Sequence, residues 1–253
     1  MYFAVFKKRK FFALAIAVIV LLISIAVLPS TSLLQASASN KKLPIYRVRT
    51  DKKVLSISFD CAWGVDYTDK LLSVMQEEGV RCTFFTVEFW ARKHPDYLKK
   101  ISSFGHEIGT HSATHPYMSK LDKDGVNNEL KTSINAIESV TGKKVELFRP
   151  PYGDYNDNLI ETAKEAGLFT IQWDVDSLDW KNLSAKEIKN RVVSRVKSGS
   201  IVLFHNQGLH TAEALPEIIR ELKNQGYQFV PISELIYKEN YQIAHDGEQY
   251  LNS

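Results

Sequence analysis

Apolar and polar positions follow two rhythms along this chain, and the rhythms take turns. Val-Leu-Ser-Ile-Ser-Phe-Asp at 54–60 has the two-residue period of a strand. The stretch after it places apolar residues three and four apart, as in a helix with one buried face. Strand-like runs recur at 82–87, 106–110, 147–149, 169–175, 201–204 and 227–232. Helices are predicted over 68–78, closed by Gly79, and around 95–104. Further ones run from an Asp122 cap to 140, over 157–166, from a Ser184 cap to 197, and over 212–224. Seven strands alternating with helical segments predict a parallel sheet, either open and doubly wound or rolled into a barrel.

The polar residues choose between these closures. Asp60, His111, His115, Arg149, Asp176, Asp179 and His205 all fall at or just beyond the carboxyl end of a predicted strand. A barrel gathers those ends into one ring around a common centre, whereas an open sheet spreads them along an edge. The expectation is therefore a barrel over 54–238. It is preceded by an N-terminal segment over 1–38 and a linker over 39–53, with a small entry strand at 45–48. Residues 239–253 are polar with little pattern and read as a loosely packed tail.

The first segment carries Lys7, Lys8, Arg9 and Lys10, then an uncharged apolar run over 11–28. That run is long enough to span a bilayer, and Ala36-Ser37-Ala38 offers a cleavage point. A cleaved signal peptide and a retained anchor are both open, and either exports the rest of the chain. The net charge of +3 arises in this leader. The remainder of the chain is near neutral and gives no basic face for nucleic acid. Export invites a disulfide, but Cys61 and Cys82 sit at opposite ends of consecutive strands, about 20 Å apart at the usual rise per residue. Two free thiols are expected.

Candidate chemistry centres on Gly109-Thr110-His111-Ser112-Ala113-Thr114-His115-Pro116. Imidazoles four residues apart converge if the backbone makes one turn between them, and Pro116 stops that turn from continuing as a helix. A divalent metal there would lower the pKa of a bound water, with Asp60 to take its proton and His205 to protonate a leaving group. Arg149, costly to bury alone, should pair with a carboxylate. This is the equipment of a metal-assisted hydrolase. Asp174 reads as surface or capping, and no His-Glu-x-x-His helix supports a metallopeptidase.

Five stretches occur in the order of the motifs of the polysaccharide deacetylase family (NodB homology, carbohydrate esterase family four), and the chain resembles it over 54–236. They are Phe59-Asp60-Cys61-Ala62-Trp63-Gly64, His111-Ser112-Ala113-Thr114-His115, Arg149-Pro150-Pro151-Tyr152-Gly153, Asp176-Ser177-Leu178-Asp179-Trp180 and Leu203-Phe204-His205. The first motif and the membrane-proximal start look like the sporulation-associated PdaB-type branch. The resemblance implies a distorted (β/α)7 barrel that removes N-acetyl groups from amino-sugar polymers. It implies Asp60 as general base oriented by Arg149, and His205 as general acid held by Asp179. The Tyr152 backbone N–H would stabilise the oxyanion, and Trp180 and Leu203 would line an acetyl pocket. His111 and His115 would bind a divalent metal, usually zinc-like.

The family's third ligand is an aspartate, and here that place is Cys61. A thiolate is a good zinc ligand, but it is a shorter one, so Cys61 either ligates or stays a small buried thiol. Two functions are consistent with this. One is an active, monomeric N-deacetylase of a cell-wall glycan such as peptidoglycan, outside the membrane and in the spore envelope. The other is a catalytically impaired glycan-binding or structural protein on the same fold.

Overall fold

The computed structural model describes residues 41–252. The apolar run and its cleavage point lie outside the described residues.

The core of the fold is a parallel sheet curled into a distorted barrel, with helices on its outer face. Its central strand β2 (Val54–Cys61) lies between β3 (Thr83–Thr86) and β8 (Ile201–His205). Beyond β3 come β4 (Glu107–Thr110), β5 (Leu147–Phe148) and β6 (Phe169–Thr170); beyond β8 comes β7 (Val175–Asp176). The short β9 (Gln228–Phe229) pairs with the start of β2. All these pairings are parallel.

The alternation in β2 is explained by its two faces. Leu55, Ile57, Phe59 and Cys61 belong to the larger apolar cluster, shared with helices α1 (Thr68–Glu77), α2 (Glu88–Lys93) and α3 (Pro95–Ser103). The same cluster takes in α4 (Lys123–Thr141), α5 (Asp157–Glu165), α6 (Ala185–Val193) and α7 (Thr211–Asn224). Ser56, Ser58 and Asp60 point to the other side, into the curl. There Ser56 Oγ donates to the Val230 carbonyl and Ser58 Oγ to that of Val202. A smaller apolar cluster on this side joins Ile45, Val48, Phe85, Leu147, Ile171 and Ile201 with Ile232 and Leu235 of α8 (Ile232–Leu235).

The single strand expected over 169–175 is split. Its first two residues pair with β5 at one edge of the sheet, and its last residue opens β7, which pairs with β8 at the other. No ladder joins β6 to β7 among the described residues, so this seam is where the barrel is distorted. Ile45 bridges to Ile171 and Arg47 to Ser200, so residues of the expected linker seat themselves in the gap. Asp174 caps the far side, accepting from Ser200 Oγ (2.8 Å) and from the Ile201 N–H (2.9 Å).

The loose tail is corrected. β10 (Tyr241–Ile243) and β11 (Glu248–Leu251) form a small sheet with β1 (Arg47–Val48), in the order β1-β11-β10. Gln249 is fully buried and bridges both ways to the Tyr237 backbone, while Glu248 pairs with Arg47 and Arg49. Gly247 turns the chain at φ 81°, where a Cβ would lie 2.2 Å from the Tyr46 ring. Strands this short, held by polar side chains, carry no apolar period to read. Both cysteines are free and buried, as expected.

Candidate active site

The carboxyl ends of the strands do meet at one cleft of about 660 Å³. Asp60 and His205 are register partners on β2 and β8, so their side chains leave neighbouring parallel strands on the same face. Both line the cleft, with His111, His115, Tyr152, Trp180 and Leu203.

Arg149 follows β5 and is fully buried beneath the cleft. Its Nη1 donates to Asp60 Oδ1 (2.9 Å), and its Nη2 to Ser58 Oγ (2.8 Å) and the Gln172 carbonyl (3.2 Å). The guanidinium lies over the Phe85 ring at 4.2 Å. Burial pushes the Asp60 carboxyl up, but Arg149, His111 and His205 together outweigh it and hold it below its ordinary value. Asp60 is therefore an ionised carboxylate with a fixed orientation.

His205 is held as firmly. Asp179 Oδ1 lies 2.7 Å from His205 Nδ1, and Oδ2 accepts from the His205 N–H (2.8 Å) and Thr211 Oγ1 (2.6 Å). Gly208 allows this approach, since a Cβ there would lie 2.6 Å from the carboxylate. Burial opposes protonation of His205, but the hydrogen bond and charge of Asp179, with Asp60 and Asp176 behind, raise its pKa overall.

His111 and His115 arrive on a tight turn after β4. Ser112 and His115 both have positive φ, 72° and 60°, and Ser112 Oγ accepts from the His115 N–H at 3.0 Å. Glu129, reaching from α4, accepts from the N–H groups of Ala113 and Thr114 (2.8 Å each) and from Thr114 Oγ1 (2.7 Å). His111 Nδ1 lies 2.7 Å from the Arg149 carbonyl, which only accepts, so that nitrogen carries the proton. The lone pair is then on Nε2, 3.2 Å from His115 Nε2 and 3.6 Å from Asp60 Oδ2. Burial, then the neighbouring His111, lower the His115 pKa to about 4.

Tyr152 holds the left-handed conformation at φ 59°, and its ring meets that of His115 edge-on at 4.6 Å. Trp63 meets His115 on another side at 5.2 Å. Asn206 Nδ2 fixes the Trp63 loop through the carbonyls of Trp63 and Gly64.

With this geometry in view, the comparisons are specific. The profile of the family described as polysaccharide deacetylase matches residues 47–171. A Bacillus cereus peptidoglycan-N-acetylglucosamine deacetylase is 37% identical over 196 residues, covering 76% of this chain and 92% of that one. The chain belongs to the polysaccharide deacetylase family. It is also 35% identical to the Bacillus subtilis protein YlxY, covering 76% of this chain but spanning only 60% of that protein's length. Among solved structures, a carbohydrate esterase family four pseudoenzyme from Bacillus anthracis superposes with a TM-score of 0.74. It is 35% identical, over 76% of this chain and 68% of that one.

At the histidine pair the structure takes the second of the two outcomes open for Cys61, a small buried thiol. The two imidazole nitrogens sit close enough to share an ion, but Cys61 does not join them. It is the last residue of β2, on the face opposite Asp60, fully buried in the helix-side apolar cluster. Burial, then the Asp60 charge, push its thiol well above the ordinary value. Among the described residues no group of three His, Cys, Asp or Glu side chains is arranged to hold a metal. The donor set thus fits two corners of a centre and not three.

Two contributors escaped the sequence reading. Glu129 lies mid-helix, where a carboxylate reads as solvated surface; only the contact across to the His turn reveals it. Asn206 directly follows His205, but its partners are far away in sequence.

Proposed function

We propose that the chain is an N-deacetylase of amino-sugar residues in a cell-wall polysaccharide of the peptidoglycan type. The observation that carries this reading is the register pairing of Asp60 with His205, each locked by its own buried partner. The ionised Asp60 takes a proton from water as its oxygen attacks the acetyl carbonyl carbon. The Tyr152 backbone N–H is the donor assigned to the oxygen that becomes negative. His205 then gives its Nε2 proton to the sugar nitrogen as the amide C–N bond breaks, leaving acetate and a free amine. Trp180 and Leu203 form the wall against the acetyl methyl. A divalent ion would be held by His111 and His115 alone among the described side chains, and no step is assigned to it.

The leader motivates a place outside the membrane, released or tethered. Resemblance to the sporulation-associated branch extends this to the spore envelope, which fractionation of sporulating cells would check. Acetate release from N-acetylglucosamine oligomers and from muropeptide-derived glycans, with and without added zinc or cobalt, tests the activity. Silence on every glycan under every metal condition would reject it. The Cys61 position, with the likeness to a pseudoenzyme, favours one second reading: a glycan-binding protein that holds the polymer without turnover.

A further inference from the structure

The segment that enters the barrel's seam ahead of β2 is tied down along its whole length. Lys42 donates its N–H to Asp157 Oδ1 (3.0 Å) and pairs through its ammonium with Glu161. The Tyr46 hydroxyl donates to that of Tyr155 (3.1 Å). Ile45 and Val48 are 2% and 1% exposed, buried in the smaller apolar cluster. A segment that only tethers a domain needs none of these contacts.

What it holds in place is the main chain at Gln172. Ile45 donates its N–H to the Thr170 carbonyl (2.9 Å) and accepts the Gln172 N–H on its own carbonyl (2.8 Å), as in a parallel ladder. The next rung of such a ladder would bring the Arg47 N–H to the Gln172 carbonyl. The chain leaves that line instead: Arg47 bridges to Ser200, and the Val48 N–H donates to the Gly199 carbonyl (2.9 Å). The Gln172 carbonyl thereby falls to Arg149 Nη2 (3.2 Å), while Nη1 of the same guanidinium reaches Asp60 (2.9 Å). Gln172 also lies under the Tyr152 turn, since a Cβ on Gly153 would come 3.3 Å from its Oε1. Among the described residues Gln172 has no main-chain partner besides Ile45.

Three hydrogen bonds therefore run in series from the entry segment to the carboxylate proposed as the base. We propose that residues 42–48 are a positioning element of the active site: they set the Gln172 main chain, which sets Arg149, which sets Asp60. The kinetic part of this inference rests on the deacetylase reading, and the mechanical part does not. The cleavage point expected at 36–38 lies ahead of the segment, so a released and a tethered protein would both keep it.

The test starts from the full-length protein with a protease site inserted in the exposed bend at 51–52, between β1 and β2. Cutting the folded protein separates the segment from β2 without deleting it, and gel filtration in dilute denaturant then strips it away. Acetate release from an N-acetylglucosamine oligomer should survive the cut. On stripping, kcat should fall roughly 10- to 100-fold while KM holds within about twofold. A peptide of residues 41–49 should restore the rate. Unchanged kcat after stripping, or a rise in KM alone, would overturn the proposal. Where stripping unfolds the protein, Ile45→Ala in the uncut chain decides instead: kcat should fall about threefold or more at constant KM, and an unchanged kcat would overturn it. A second arm needs no activity. In denaturant unfolding, Asp60→Asn should cost less stability in the Ile45→Ala background than in the unaltered chain, because the two sites share the Gln172–Arg149 link. Strict additivity would overturn the link. No acetate from the uncut protein on any glycan, with that coupling present, would reject the deacetylase reading and leave the positioning chain standing.

Discussion

Two histidine arrangements share one rim, and they are finished to different degrees. On the β8 side the Asp179 carboxylate is fully engaged: His205 Nδ1, the His205 backbone N–H and the Thr211 hydroxyl all converge on it, and it is fully buried. On the β4 side the turn is well anchored by Glu129, yet the imidazoles face each other, and His115 Nδ1 is buried without a partner. The first arrangement raises a pKa and keeps a proton available; the second lowers one to about 4 and keeps nitrogens neutral. Moving a proton needs only a rigid pair of side chains. Holding a cation firmly takes a third donor, and at this strand end Cys61 points into the core instead.

The hardest blow to this picture is at the hinge between the two halves. Asp60→Asn removes the proposed proton acceptor and strands the Arg149 guanidinium in the interior. Acetate release should fall about 10³-fold, and unfolding in denaturant should reveal a loss of about 3–5 kcal/mol from the broken buried pair. A variant that loses activity at unchanged stability would mean that Arg149 is satisfied by Ser58 and the Gln172 carbonyl alone.

Asp179→Asn attacks the finished arm. As the proposed general acid His205 must be protonated to act, and the Asp179 charge raises its pKa, so activity should persist to higher pH than an ordinary histidine would allow. Without that charge the alkaline limb of the pH–rate profile should move to lower pH, with activity near neutrality down by about 10²-fold. An unshifted limb would assign the limb to another group. On the unfinished arm, Glu129→Gln keeps the side-chain shape but weakens the hold on the Ala113 and Thr114 N–H groups. Divalent-metal affinity, read by equilibrium dialysis, should drop about 10-fold or more, while the Asp179-dependent limb stays in place.

How much of this could be read from residues alone depends on where the determining contacts lie. The barrel and the Asp60–His205 meeting were legible because strand-end position is encoded locally, by a strand-like run, alternating before Asp60 and continuously apolar before His205, that stops at a polar residue. Arg149 was legible because a buried arginine demands a carboxylate. The split at 169–175 was not: seven residues of strand-like character say nothing about the chain crossing a seam midway. Nor was the small sheet of β1, β10 and β11, whose anchor is a buried glutamine hydrogen-bonded to Tyr237, not an apolar stripe. Glu129 and Asn206 act through partners remote in sequence. Cys61 is the instructive case. Its neighbour in sequence is Asp60, the proposed base, and adjacency in this strand puts it on the opposite face.

Cys61→Ala gives the smallest expected effect and the sharpest reading of the unfinished arm. The Sγ lies among apolar side chains beneath the helices, and its polar contact is a weak 4.0 Å approach to the Phe59 carbonyl. Removing it should cost about 1 kcal/mol in stability through a small cavity. Zinc affinity should change less than twofold, because no ligand has been lost. His111→Ala in the same assay should abolish binding, which shows that the measurement can see a ligand disappear. If Cys61→Ala instead lost zinc as completely as His111→Ala does, the end of β2 would have to rotate on metal binding. The two arms would then be equally complete, and their contrast a property of the metal-free protein alone.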